Sequence, residues 1–292
     1  MNKILDKIKI EHKEEAEIKH TIEEHLKNAN VDTEFMISIK PNFVNKTVLK
    51  TIRKYRNKIN IIELEILSTN DYILEKLEIS YNFNDIKKAA KLIRRFRFKL
   101  GCKTMIGLKD STRIDEINTA KAIVRLKPKV ISIVPVLVIK GTDLEKEYNE
   151  KKYKPLTLVQ AVEACKEMVD IFNDKKIEII TIGYEEIYED QVKLSKEVID
   201  GPFHPSFRQL VESSLWYDAI VNKIKQLNVK VMQVEVTVNP IDIENVIGYK
   251  QENINKLKEL YDVELIVTPD ENIKQGKSKI EITKTYQDFK QE

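Results

Sequence analysis

A chain of 292 residues and 34.1 kDa is long enough for one large α/β domain or for a domain with a smaller appendage. Its 42% hydrophobic and 33% charged residues contain no apolar run near the ~20 residues a membrane-spanning helix needs, no secretory leader opens it, and two cysteines, Cys102 and Cys165, are too few for a disulfide framework, so a soluble cytoplasmic protein is expected. Seven glycines, none grouped to cradle a phosphate, exclude dinucleotide-binding and P-loop readings, and a net charge of +3 dominated by lysine does not by itself indicate nucleic acid.

Residues 1–30 read as an N-terminal helical segment, because Ile18, Ile22 and Leu26 recur at helical spacing among charges. His12, His20 and His25 fall there as solvated side chains. Next, apolar runs at 35–39, 61–67, 104–106, 130–139 and 177–182 alternate with amphipathic stretches near 45–58, 85–98, 114–126 and 157–173. Short apolar runs separated by helices of three or four turns predict parallel βαβ units, so 31–200 is assigned to a partial (β/α) TIM-like barrel. Cys165 lies on the apolar face of the 157–173 helix and Cys102 alternates with Thr104 and Ile106 along a strand, which makes both packing residues rather than ligands. Lys87, Lys88, Lys91, Arg94, Arg95, Arg97 and Lys99 surround Phe96 and Phe98, and read first as the solvated outer face of a crossover helix. Their density is also enough to neutralise several phosphates. The acidic run Glu185, Glu186, Glu189 and Asp190 lacks the spacing of a metal site.

From Gly201 the pattern changes, and 201–292 is assigned to a small C-terminal α+β extension. Pro202 and Pro205 force a turn, a helix is predicted over 206–225 and a strand over 229–238, and Pro240 stops that strand. His204 and Arg208 could together meet an anion. Further on, a helix over 246–260 and strands over 263–267 and 278–283 include Gly248-Tyr249-Lys250-Gln251, which is similar to the Gly-x-x-Gly loop of KH domains without its second glycine. Gly248, Lys250, Lys256 and Lys258 join His204 and Arg208 as candidates for contact with a partner.

Several blocks carry a family resemblance. Val138-Ile139-Lys140-Gly141-Thr142-Asp143-Leu144-Glu145, Tyr153-Lys154-Pro155-Leu156-Thr157, Gly201-Pro202-Phe203-His204-Pro205-Ser206-Phe207-Arg208 and Met105-Ile106-Gly107-Leu108 together resemble the rear half of radical S-adenosylmethionine (radical SAM) proteins of the Elongator-catalytic-subunit and coproporphyrinogen-oxidase-like type. The resemblance implies a (β/α) barrel that binds S-adenosylmethionine and a [4Fe–4S] cluster on a CxxxCxxC loop. This sequence contains no such loop. Ser38-Ile39-Lys40-Pro41-Asn42 stands where the family has Ser-Thr-Arg-Pro-Asp, Glu65-Ile66-Leu67-Ser68 where it has Gly-Val-Gln-Ser, Ile79-Ser80-Tyr81 where it has Arg-Gly-His, and Lys109-Asp110 where it has Pro-Gly. Ser38, Lys40, Pro41, Asn42, Ser68, Gly107 and Leu108 are therefore vestigial SAM-site positions. The expectation is a degenerate relative with its first barrel strands missing, no catalytic residue, no metal ligand and no bound cofactor. It would bind RNA, such as a tRNA, or a protein partner, and its open sheet edge would allow homo-oligomers. The alternative is a radical SAM enzyme, or a fragment of one, that uses S-adenosylmethionine and an iron–sulfur cluster.

Overall fold

The chain divides into two units, residues 1–203 and 204–292, and the computed structural model describes residues 5–11, 14–27, 33–184 and 194–289. In the first unit the elements run β1 (Leu5–Ile10), α1 (Glu15–Lys27), β2 (Glu34–Ile39), α2 (Lys46–Arg53), β3 (Ile59–Glu65), α3 (Asp71–Lys76), α4 (Phe83–Arg95), β4 (Lys99–Ile106), α5 (Arg113–Arg125) and β5 (Val130–Pro135). They continue through β6 (Val138–Ile139), α6 (Asp143–Asn149), α7 (Leu158–Asp174), β7 (Glu178–Ile182) and β8 (Val198–Asp200). Strands β1, β2, β3, β4, β5 and β7 pair in that order, all parallel, as a curled half-barrel.

Local sequence sets the helix starts. Asn82 with Asp85, Thr112 with Asp115 and Thr157 with Gln160 form capping boxes at α4, α5 and α7, each satisfying backbone N–H groups that the first turn leaves unpaired. The strands then sort their side chains by alternation. Ile10, Ile39, Leu64, Cys102 and Ile131 stand side by side in register, all almost fully buried. Each fully buried Ile contributes roughly 1.5–3 kcal/mol. The intervening residues form the other face, where Met36, Ile61 and Val130 pack together with Ile180.

Three sequence expectations change. Residues 5–10, read as part of a helical segment, form strand β1: Ile8 and Ile10 are buried on one side while Lys7 and Lys9 alternate with them. The run 130–139 is two elements, because the chain turns after Pro135 and β6 pairs antiparallel with β8 in a separate two-stranded ribbon. Helices α3 and α6, which the periodicity did not show, are too short to display it.

In the second unit α8 (Phe207–Lys225) precedes β9 (Val231–Val238), followed by α9 (Ile243–Ile247), α10 (Glu252–Tyr261), β10 (Glu264–Pro269) and β11 (Ser278–Thr285). Strand β9 is central, parallel to β10 and antiparallel to β11. Ile220, Val234, Val236, Val246, Leu257 and Val263 are the heart of this unit's core. Among the described residues no helix is long and apolar enough to cross a membrane.

Candidate functional site

The C-terminal ends of β2, β3 and β4 gather the positions that the resemblance assigns to a SAM site. Ser38 is in β2, Lys40, Pro41 and Asn42 directly follow it, Ser68 lies just beyond β3, and Gly107 and Leu108 follow β4. At this end of a (β/α) sheet, loops usually build the site. Here the polar groups are largely taken up by the chain itself. The Ser38 hydroxyl donates to Glu65 Oε1 at 3.0 Å, and the Tyr81 hydroxyl donates to the Glu65 carbonyl at 2.9 Å. Burial pushes the Tyr81 phenol up to about 12, so it stays a donor at every physiological pH. Asn42 Nδ2 donates to Ser80 Oγ at 2.8 Å, although its buried Oδ1 has no partner. Ser68 Oγ accepts the Asn70 N–H at 3.1 Å, and Lys40 is exposed.

Gly107 is held from both sides. Its N–H donates to Glu116 Oε1 at 2.6 Å and its carbonyl accepts the Tyr153 hydroxyl at 2.7 Å. Its φ of +78° and the Leu156 side chain, which an added Cβ would meet at 3.1 Å, explain why glycine stands there. Arg113 Nη1 lies 3.2 Å from Glu116 Oε2. Beside these groups is an open cavity of about 510 Å³, with Lys109, Arg113, Glu116, Lys154 and Gln160 in its wall. Leu108 packs with Val136, Val138 and Tyr153, and Tyr184 donates to the Pro135 carbonyl at 2.7 Å.

Below this rim the inner face of the half-barrel carries a polar group that periodicity did not reveal. Glu63 on β3 has a fully buried side chain; its Oε1 accepts the Ser132 hydroxyl at 2.6 Å and its Oε2 lies 3.2 Å from Lys7 Nζ. The Oε2 contact lacks hydrogen-bond alignment, and charge attraction is what holds it. Glutamates at alternate positions, Glu63 and Glu65, within an otherwise apolar run, together with lysines alternating along β1, were the available signal.

In the second unit, His204 Nδ1 accepts the Ser206 N–H at 3.0 Å and the His204 ring meets Tyr249 edge-on at 5.2 Å. Burial first, and then the nearby Lys250 ammonium, hold the His204 pKa below its usual value. Arg208 pairs with Glu212 at 2.8 Å. Gly248 takes φ +87°, with Lys250 and Gln251 both left-handed at φ +51° and +64°, so the single helix expected over 246–260 is broken into α9 and α10 around a loop, at the place where the resemblance to a KH loop puts one. Lys256 pairs with Glu252 at 2.6 Å and Lys258 with Asp262 at 2.9 Å, whereas Lys250 lies over the Tyr249 ring and has no carboxylate partner among the described residues. The acidic run Glu185–Asp190 and His12 lie outside the described residues.

Residues 128–217 match the model of the radical SAM C-terminal domain family. This segment is similar to the C-terminal domain of radical SAM proteins. Over 122 residues, 41% of its length, it is 30% identical to the uncharacterised protein MJ0486 of Methanocaldococcus jannaschii, and over 142 residues, 46% of its length, 28% identical to the uncharacterised protein MJ0550 of the same organism. Each match spans only 38% of the relative. Its fold is similar to that of the archaeal Elp3 of Methanocaldococcus infernus with an N-terminal deletion, at a TM-score of 0.58 and 18% identity over 76% of this chain and 55% of that one. At that identity the likeness concerns the fold.

A radical SAM barrel implies an iron–sulfur cluster, and the donor set here does not fit one. Such a cluster is held by closely spaced cysteine thiolates. Cys102 and Cys165 are both fully buried, one on a strand and one on a helix, and burial pushes the Cys102 thiol well above its ordinary range. Among the described residues, no three His, Cys, Asp or Glu side chains are placed to share a metal ion.

Proposed function

We propose that this radical SAM relative works without a cluster and without radical chemistry, as a protein that binds a macromolecular partner, RNA or another protein. The observation that carries the reading is the donor set: two cysteines, each sequestered in the core, cannot replace three accessible thiolates. The state of the strand ends supports it. Glu65 occupies the position where the resembled family has a glycine that lets backbone approach a ligand, and its side chain and carbonyl are bonded to Ser38 and Tyr81. A (β/α) scaffold whose apolar pattern is intact while its ligand-facing positions bond to one another serves binding through its outer surfaces.

Anaerobic reconstitution with iron and sulfide, followed by reduction in the presence of S-adenosylmethionine, tests this. The reading expects iron at background level and no 5′-deoxyadenosine. Cleavage of S-adenosylmethionine would establish a radical SAM enzyme in its place.

A further inference from the structure

In a parallel sheet each crossover returns the chain to the same end, so the connections entering β3, β4, β5 and β7 lie next to one another in the order of their strands, separated by about 4.8 Å per strand. Three of these connections are strongly basic. They read Arg53-Lys54-Tyr55-Arg56-Asn57-Lys58 before β3, Arg94-Arg95-Phe96-Arg97-Phe98-Lys99 into β4, and Arg125-Leu126-Lys127-Pro128-Lys129 before β5. The fourth, Lys175-Lys176, is flanked by Asp174 and Glu178 and is the least positive. The whole chain has 8 arginines, and all but Arg113 and Arg208 are in these connections. A chain that otherwise uses lysine for positive charge has placed its arginine at the end of the half-barrel opposite the vestigial site.

The helix macrodipole accounts for positive charge at helix C-termini, but lysine satisfies that equally well. Arginine adds a planar fork that grips two oxygens of a phosphate at once. Two of the arginines build a platform. Arg56 Nη2 donates to the Arg97 carbonyl with its guanidinium 5.6 Å from the centre of the Phe98 ring, and Arg94 Nη1 donates to the Leu126 carbonyl. Neighbouring connections are thereby tied together. On that platform Arg95, Arg97, Lys99, Arg125, Lys127 and Lys129 are exposed and have no carboxylate partner among the described residues.

We propose that this basic arc binds the phosphodiester backbone of a nucleic acid. Phe98 is only 4% exposed, so it offers no stacking surface, and the arc positions a backbone rather than reading bases. These connections also present no exposed large apolar side chain that would insert into a lipid headgroup layer. The proposal deepens the binding reading above and rests on it for the kind of partner, not for the fate of the cluster.

The test is fluorescence anisotropy of the full chain with a labelled single-stranded RNA of about 20 nucleotides, with duplex RNA and DNA and with phosphatidylserine vesicles as separate arms. Six neutralised phosphates give a slope of log K against log salt near −4, at about −0.7 per contact on a single strand. The triple variant Arg95→Gln/Arg97→Gln/Arg125→Gln is expected to bind at least tenfold more weakly and to lower the magnitude of the slope by about 2. The corresponding triple Arg→Lys variant keeps the slope and loses affinity severalfold, while circular dichroism melting verifies that both variants fold. Three results would overturn the proposal: no binding to any nucleic acid at low salt, binding to vesicles alone, or binding lost on Lys250→Glu but unchanged in the triple Gln variant. That last outcome would leave the binding reading standing and move the contact to the second unit. Only release of 5′-deoxyadenosine would remove the cluster-free reading.

Discussion

Replacing either partner of the Lys7–Glu63 pair tests whether the inner face of the half-barrel is a structural floor, and the two replacements are not equivalent. Glu63 is fully buried, whereas the Lys7 side chain keeps 19% of its exposure. Lys7→Met strands a carboxylate in the interior, and removing one partner of a buried pair costs about 3–5 kcal/mol. Glu63→Gln keeps the volume and an acceptor for the Ser132 hydroxyl, and it leaves an ammonium that can still reach water, so the loss should be roughly 1–3 kcal/mol. The double variant Lys7→Met/Glu63→Gln should recover most of the Lys7→Met loss, so that its cost falls well below the sum of the two single losses. Urea unfolding midpoints at neutral pH read all three variants. Equal losses for the two single variants, or strict additivity in the double, would refute the claim that burial of Glu63 sets the energetics.

Three further outcomes are expected in the second unit. Because the folded state holds the His204 pKa below its unfolded value, the unfolded chain binds the extra proton first as pH falls. The contribution of His204 to stability is therefore complete above about pH 6.5 and is lost as pH falls through that value toward the lower folded pKa. Thermal midpoints measured from pH 5 to 8 should slope less in His204→Asn, which retains an acceptor for the Ser206 N–H; an unchanged slope would show that another group titrates. Gly248→Ala forces a Cβ to 2.8 Å from the Asn253 backbone nitrogen at φ +87°, and should destabilise by roughly 2–4 kcal/mol in a denaturant titration. Gln251→Gly, which relieves a left-handed residue at φ +64°, should be neutral or stabilising by up to about 1 kcal/mol. The opposite ranking would mean that the loop is not held as described.

The parallel strands were legible because residues buried on both faces read as near-continuous apolar runs, as at 35–39 and 130–135. Strand β1 was not, since its Lys7 and Lys9 interrupt the run and Lys7 faces Glu63, more than fifty residues away in sequence. A break after Pro135 was hidden within a run that stayed apolar through Ile139, because the turn changes the pairing partner and not the hydrophobicity. The same limit applies to the functional surfaces. Arg94, Arg95 and Arg97 were visible as a cluster, but their juxtaposition with Arg53, Arg56 and Arg125 follows from strand order, which no local window encodes. In the tail, by contrast, the Gly248 loop was legible from its glycine and the helices on either side.

Iron and sulfide analysis of the full chain after anaerobic reconstitution, paired with an assay for 5′-deoxyadenosine, addresses the central claim most directly. The account predicts no cluster absorbance and no product, since Cys102 and Cys165 are the only thiols and both are buried. A bound cluster that cleaves S-adenosylmethionine would contradict it.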